Sequence, residues 1–136
     1  INDGMADYVA DEMHGRLKRP GKVLILGVTF KEDVPDLRNS KVMDVIARLA
    51  WLGHEVVAHD PHADPAEAMH EYGLTLPDDA LAGQYDAVLL AVPHAAYKAM
   101  TARDVQALLK SDGLVADLKG AWSALDLEGA AEVWRL

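Results

Sequence analysis

The fold is decided by Val23-Leu24-Ile25-Leu26-Gly27-Val28-Thr29-Phe30-Lys31-Glu32-Asp33-Val34-Pro35-Asp36-Leu37-Arg38-Asn39-Ser40, in which an unbroken apolar run leads directly into a polar turn. Strands of a parallel sheet are buried on both faces and therefore read as continuous apolar runs, as Val23 to Leu26 does. Gly27 ends the run, and the turn carries two cations, Lys31 and Arg38. Ligands of open α/β sheets bind at the carboxyl ends of the strands. In a chain of net charge -9, two cations at such a position indicate an anionic ligand.

The turn leads into a helix predicted over residues 39–52, which Asn39 or Ser40 can cap with a side-chain oxygen. The first amide groups of a helix have no partner within it, and the helix dipole is positive at that end. A phosphate or carboxylate is therefore favoured there. The start of this helix and the two cations are expected to face one anion.

The rest of the chain alternates between strand and helix patterns. Strands are predicted at 22–27, 55–59, 86–92, 113–118 and 131–135, and helices at 39–52, 64–72, 95–99 and 102–110, with a short helical turn near 78–82. Such alternation predicts an α/β fold: a Rossmann-like open parallel sheet with helices on both faces, in three αβα layers. Right-handed crossovers then bring the turns after the first and fourth strands to the same edge of the sheet.

An amphipathic helix is predicted over residues 3–18, before the sheet. Pro20 and Gly21 end this helix. Its apolar residues recur at helical spacing: Met5, Val9, Met13 and Leu17. An ordinary N-terminal helix packed on the sheet fits this pattern.

Composition limits the class of protein. At 136 residues the chain is long enough for one domain with a real core. No apolar run approaches the roughly 20 residues of a membrane span. The excess of acidic residues argues against nucleic acid as a partner. The chain has no cysteine, which excludes disulfides and thiolate chemistry within it and fits a cytoplasmic location.

A nicotinamide dinucleotide site is not predicted in this chain. Such a site needs Gly-x-Gly-x-x-Gly after the first strand, whereas only Gly27 is present. An acid for the ribose hydroxyls is expected roughly 20 residues further on. Asp60 follows Gly27 by 33 residues instead. The sequence therefore predicts a Rossmann-like fold without cofactor-binding residues.

A metal site is not predicted either, although six histidines invite one. His54, His59 and His62 are close in sequence, but they form no helical i, i+4 pair, and no thiolate or glutamate completes a ligand set. His94 follows a strand and a proline, where we expect it to hydrogen-bond a loop backbone.

A longer pattern carries a family resemblance. It consists of Gly-x-Thr-Phe-Lys-Glu-x-x-Pro-Asp-Leu-Arg-Asn-Ser at residues 27–40, followed in order by His59-Asp60-Pro61, Asp117-Leu118-Lys119-Gly120 and Trp134-Arg135-Leu136. Together these segments resemble the C-terminal, UDP-binding domain of the UDP-glucose/GDP-mannose dehydrogenases. Within that family the chain is most similar to the branch that oxidises UDP-N-acetylhexosamines (mannosamine, galactosamine or glucosamine) for surface polysaccharides.

The resemblance implies that this chain is one part of a larger NAD-dependent 6-dehydrogenase. In the family, NAD is bound by an N-terminal domain of the same chain, and the catalytic cysteine lies before the segment that matches Ile1. Residues 1–19 would then be the tail of the helix that joins the two domains and packs in the oligomer, and residues 20–136 the UDP-sugar-binding domain. The chain alone is expected to be inactive, with no catalytic residue of its own.

Four residues are predicted to bind substrate. Phe30 suits contact with a pyrimidine ring, although it could instead cap the core under the loop. Lys31 contacts substrate in the family, and Lys119 stands where related enzymes carry an arginine that can neutralise a diphosphate. Arg38 offers a planar fork for a phosphate or for a nearby aspartate.

Two functions from other classes stay open. A receiver-type signalling domain would use an aspartate after its third strand and a lysine after its fifth, and Lys119 fits the lysine. It also needs an acidic pair where Gly27-Val28 stands, and Pro93-His94 follows the third strand. A non-catalytic assembly domain is suggested by the N-terminal helix and by Trp51, which ends an amphipathic helix and could face a neighbouring domain.

Overall fold

A computed structural model describes residues 3–129 and 131–136. The helices are α1 Asp3–Leu17, α2 Val42–Trp51, α3 Pro65–Tyr72, α4 Ala95–Lys98 and α5 Ala102–Ala107, with a 3₁₀-helix at Ala80–Ala82. The strands are β1 Lys22–Leu26, β2 Glu55–His59, β3 Tyr85–Leu90, β4 Leu109–Asp117 and β5 Glu132–Arg135. The predicted order of elements is confirmed, including the helix before the sheet.

The strands form one sheet in the order β2-β1-β3-β4-β5, and every neighbouring pair is parallel. The Rossmann-like α/β class is therefore confirmed. The chain leaves β1 in one direction to build β2 and returns on the other side to build β3. Ligands of doubly wound sheets bind outside the carboxyl ends of the strands at such a reversal. The topology thus marks the edge between β1 and β3.

Alternate side chains of the strands build the two halves of the core. Val23 and Ile25 point to the face covered by α1, α2 and α3. Leu24 and Leu26 point to the opposite face, covered by the 3₁₀-helix, α4, α5 and the segment around Trp122. Because β1 is buried on both faces, its apolar run needs no alternation with polar residues. The predicted three layers are present.

The start of α2 differs from the prediction. The helix begins at Val42, and Lys41 precedes it without a side-chain cap. Asn39 does not cap it because its backbone is left-handed, with a φ of 60°. Ser40 Oγ is buried and has no hydrogen-bond partner in the described part of the chain. The amide groups at this helix end are therefore not covered by a capping side chain.

The boundary between α5 and β4 also differs. Thr101 caps α5 in a capping box with Asp104, as its sequence suggests, but the helix ends at Ala107 rather than at residue 110. β4 begins at Leu109, which pairs with Tyr85 before the register shifts. Asp112 lies within this irregular stretch with a φ of 61°. The pattern of apolar residues does not predict the early start of β4, because a left-handed residue and a bulge interrupt the alternation of a regular strand.

The three tryptophans differ in their exposure. Trp122 and Trp134 are buried, whereas Trp51 is 73% exposed beneath the Arg48 guanidinium, which lies 4.7 Å from the ring centre. In the described ranges, no helix combines the length and apolarity that crossing a bilayer requires. The division into residues 1–19 and 20–136 stays a prediction.

Acid is expected to loosen the contact between α1 and the turn before β2. His54 accepts the Gly21 amide at 3.1 Å and contacts His14 of α1 at 2.9 Å. Burial, and then the neighbouring His14 ring, lower the pKa of His54. The unfolded chain therefore binds a proton near pH 6.5 that the folded chain takes up only at lower pH. The stabilisation from neutral His54 is complete above about pH 6.5 and is lost as the pH falls through the pKa of His54 in the folded chain.

We expect the urea midpoint of unfolding to fall when the pH is lowered from about 7.5 to about 5.5. His54→Gln should flatten this pH dependence. His70→Gln, at an exposed position on α3, serves as the control and should leave it unchanged. An equal response in both variants would contradict the assignment to His54.

Candidate functional site

A cavity of about 310 Å³ lies at the carboxyl edge of the sheet where the chain reverses between β1 and β3. It is lined by the turn after β1, the start of α2, the end of β3 and the turn after β4: Phe30, Lys31, Asn39, Ser40, Lys41, Val42, Ala91, Val92 and Lys119. The turns after β1 and β4 therefore line the same cavity, as right-handed crossovers predict. Three of the four predicted substrate residues meet here.

The cavity is positively charged. Lys31, Lys41 and Lys119 line it, and no acidic residue is among its described lining residues. Lys31 makes no ion pair within the described residues, and Lys119 lies 3.7 Å from Glu32 on the loop rim. The first residue of α2 also lines the cavity, so the positive end of the helix dipole faces it. Lys41 is a member of this cluster that the sequence analysis missed.

Phe30 stands on the rim of the cavity and does not cap the core. Its side chain is 54% exposed, while its amide donates to the Asp36 carbonyl at 2.7 Å. The exposed ring thus lines a cavity that also carries lysines. The structure therefore contradicts the core interpretation of Phe30, and its contact with a pyrimidine ring stays a prediction.

Arg38 lies outside the cavity. Its guanidinium makes two hydrogen bonds to the carboxylate of Asp36, at 3.1 and 3.3 Å, and its side chain is 83% exposed. The hydrogen bonds from Arg38 lower the pKa of Asp36. The sequence allows either a phosphate or a nearby aspartate as the partner of Arg38. In the structure its guanidinium pairs with Asp36.

Asp117 fixes the turn that carries Lys119. Its carboxylate is fully buried and accepts the amides of Ala121 and Trp122 at 3.1 and 2.8 Å. Arg135, at the end of β5, places its Nε 3.7 Å from the same carboxylate. Asp117 therefore positions the lysine through the backbone of the turn and makes no contact with the lysine side chain that the structure records.

Asp60 joins the turns after β1, β2 and β3 beneath the cavity. One carboxylate oxygen accepts the amides of Val28 and Thr29 and the His94 Nε2, and the other accepts the amides of His62 and Ala63, all within 3.2 Å. Every one of these donors points at a side chain that solvent does not reach. The carboxylate therefore serves as a structural acceptor and has no face turned toward a ribose.

The pKa of Asp60 reflects two opposing effects. Burial raises it, but the hydrogen bonds from His94 and from the backbone outweigh burial, so the pKa lies below its usual range. The stabilisation from Asp60 is thus present above the unfolded pKa of about 3.9 and is lost as the pH falls through the folded value.

His94 is completely buried and hydrogen-bonds a loop backbone, as predicted, through the Asp33 amide at 2.8 Å. Asp33, His62 and His94 bring ligand-type atoms within 4.8 Å of one another. Both ring nitrogens of His94 are already engaged, one by the Asp33 amide and the other by Asp60. A metal would have to break one of these buried bonds, so the geometry offers no support for a metal site here.

Fold and site together define a class: a doubly wound α/β domain with a cavity lined by lysines at its topological switch point. Residues 24–124 match the UDP-glucose/GDP-mannose dehydrogenase family, UDP binding domain. The chain belongs to this family. Membership, and the lack of a carboxylate at the end of β3 among the described residues, argue against a receiver-type signalling domain.

Two curated relatives illustrate the similarity. The chain is 41% identical over 125 residues to UDP-N-acetyl-D-glucosamine 6-dehydrogenase of Pseudomonas aeruginosa, covering 88% of this chain and 30% of that protein. It is 39% identical over 142 residues to Protein CapL of Staphylococcus aureus, covering 100% of this chain and 33% of the relative. The chain thus spans about a third of the length of the relatives it matches.

Solved structures share the fold. An NDP-N-acetyl-D-galactosaminuronic acid dehydrogenase from Methanosarcina mazei Go1 superposes with a TM-score of 0.82 at 22% identity, covering 98% of this chain and 29% of that one. The UDP-N-acetyl-mannosamine dehydrogenase Cap5O from Staphylococcus aureus gives a TM-score of 0.74 at 23% identity, covering 98% and 31%. At these identities the likeness concerns the fold.

Proposed function

We propose that this chain binds the UDP part of a UDP-N-acetylhexosamine for an NAD-dependent 6-dehydrogenase. One observation carries the proposal: in a chain of net charge -9, three lysines and a helix start line one cavity at the switch point, with no acid among its described lining residues. Such a cavity suits a diphosphate. The names of the relatives supply the sugar class, since several are UDP-N-acetylhexosamine dehydrogenases.

The roles follow from the position of each group. Lys31 and Lys119 both line the cavity together with the start of α2, and the two lysines would share the diphosphate charge with the first amides of that helix. Phe30 would contact the uracil ring. Arg38 could reach a phosphate only by leaving Asp36, so we expect it to contribute less.

The chemistry would take place elsewhere in the whole enzyme. NAD, held by an N-terminal domain, would accept the hydrides, and a cysteine before the segment described here would form the thioester on the way from the C6 alcohol to the carboxylate. The part of this chain is to hold the remote diphosphate, which orients the reacting carbon in the cleft.

We further propose a homo-oligomer built through the helix that α1 continues, a cytoplasmic location and a role in surface polysaccharide synthesis.

Removing either cavity lysine should weaken UDP binding. Lys31→Ala and Lys119→Ala should each raise the Kd for UDP about tenfold, because each removes a charge-assisted contact to phosphate. Calorimetry or NMR titration at millimolar UDP measures the change. Uridine, which lacks the phosphates, should bind both variants as it binds the parent chain.

Lys110→Ala provides the matched control. Lys110 lies near the start of β4, at the opposite edge of the sheet, where it pairs with Asp86 at 3.3 Å. Its loss changes the net charge by the same amount without touching the cavity. If Lys110→Ala weakens UDP binding as much as Lys31→Ala does, the cavity is not the binding site.

A further inference from the structure

Two residues that flank the Phe30-Lys31 segment are tied to one buried ring. Thr29 Oγ1 lies 3.2 Å from Nε2 of His94, and the Asp33 amide donates to Nδ1 of His94 at 2.8 Å. His94 follows β3, so a different strand holds the loop at both ends of the segment. Phe30 and Lys31 are exposed, whereas Thr29 and His94 are completely buried.

The hydrogen bonds define a single tautomer of His94. Because Nδ1 accepts the Asp33 amide, it carries no proton, and Nε2 must be the donor. Nε2 donates to Asp60 at 2.8 Å and faces the hydroxyl oxygen of Thr29. The Thr29 hydroxyl is then free to donate to the Lys31 carbonyl, at 3.0 Å. The single Nε2 proton is directed at Asp60, with the Thr29 oxygen as a second, more distant acceptor at 3.2 Å. This three-centre contact joins Asp60, His94 and Thr29, and the hydroxyl of Thr29 extends the network to the backbone of Lys31.

The far end of the segment is held in an uncommon backbone conformation. Asp33 has a φ of 60°, which L-residues other than asparagine and aspartate seldom adopt. Its amide is bound by His94, and its carboxylate accepts the Ala95 amide at 2.8 Å. Such conformations persist where surrounding contacts determine them and are often found beside ligand sites.

We propose that His94, acting with Asp60 and Thr29, is a positioning residue that holds the Phe30-Lys31 segment in its ligand-binding conformation. Thr29, Asp60 and His94 are not among the described residues that line the cavity, so their effect on the ligand would pass through the backbone of Lys31. A loop ordered before binding loses less conformational entropy when the ligand arrives, so the network raises affinity without adding a contact. The proposal rests on the proposed function for the identity of the ligand.

Thr29→Val tests the link that joins His94 to the loop. Valine keeps the volume and apolar packing of threonine and removes only the hydroxyl, so the 136-residue chain should still fold. We expect the Kd for UDP to rise about five- to tenfold, and the Lys31 and Asp33 amides to show lower NMR order parameters. Thr29→Ser restores the hydroxyl and should bind UDP within about twofold of the parent chain.

The nitrogen chemical shifts of His94 provide the second readout. They report which ring nitrogen carries the proton, and a role of Thr29 in packing alone would not fix that nitrogen. They should report the proton on Nε2 in the parent chain. A proton on Nδ1, or a Thr29→Val variant with unchanged Kd and unchanged order at Lys31, would overturn the proposal. If the parent chain fails to bind UDP, the proposed function fails instead, and the tautomer and loop order still decide whether His94 holds the segment.

Discussion

Asp60→Asn is expected to cost about 3–5 kcal/mol of unfolding free energy, a large part of the roughly 5–15 kcal/mol that such a domain has. One carboxylate oxygen accepts three donors and the other accepts two. An asparagine has a single acceptor oxygen, so in either orientation its NH₂ group faces at least two buried donors. Those donors then lose their partner, and the turns after β1, β2 and β3 lose their common anchor. Urea unfolding followed by circular dichroism measures the loss.

Asp64→Asn is the matched control for this charge removal. Asp64 caps α3 by accepting one amide, that of Ala66 at 3.2 Å, at an exposed position. Asparagine caps a helix about as well as aspartate does. We therefore expect a change below about 0.5 kcal/mol. Similar losses in the two variants would mean that the charge, and not the buried hydrogen-bond geometry, accounts for the role of Asp60.

Gly27→Ala is the second substitution expected to have a large effect. Gly27 ends β1 with a φ of 93°, and a Cβ atom there would lie 2.6 Å from both the Cβ and the carbonyl oxygen of Val92. The backbone of β1 passes so close to the end of β3 that no side chain fits. Strain in the left-handed conformation and overpacking together should cost about 3–5 kcal/mol. The same urea experiment measures it.

Two other glycines separate the two causes. Gly73 ends α3 with a φ of 64° and has no atom within 4 Å of a built Cβ, so Gly73→Ala should show the strain alone, about 1–2 kcal/mol. Gly15 lies in α1 with equally open space and an ordinary φ, so Gly15→Ala should stabilise by about 0.5–1 kcal/mol. A Gly27→Ala loss no larger than that of Gly73→Ala would show that the close approach to Val92 can relax.

The parts of the site that follow from topology could be predicted from the sequence. The apolar run from Val23 to Leu26 identifies a buried parallel strand, and the crossover rule brings the turns after β1 and β4 to one edge. This is why Lys119 meets Phe30 and Lys31 at one cavity although it is far from them in the chain. Their role in substrate binding stays a prediction.

Other parts depend on local geometry that a pattern of residue types does not contain. Asn39 and Ser40 have the chemistry of a helix cap, but the left-handed backbone at Asn39 moves the start of α2 past them. Arg38 has the chemistry of a phosphate ligand, but Asp36 two residues away captures its guanidinium. The spacing of Asp60 from Gly27 bears only on a role as ribose ligand, whereas in the structure five donors from three turns converge on its carboxylate. The motif His59-Asp60-Pro61 is the signal in the sequence that points to this position.

The central claim is that the cavity between β1 and β3 binds UDP and does not bind NAD. It is tested most directly by following backbone amide NMR shifts of this chain during separate titrations with UDP and with NAD. We expect saturable shifts with UDP at Phe30, Lys31 and Lys119, and none of comparable size with NAD. Saturable shifts with NAD around Gly27 and Asp60, without a response to UDP, would contradict it.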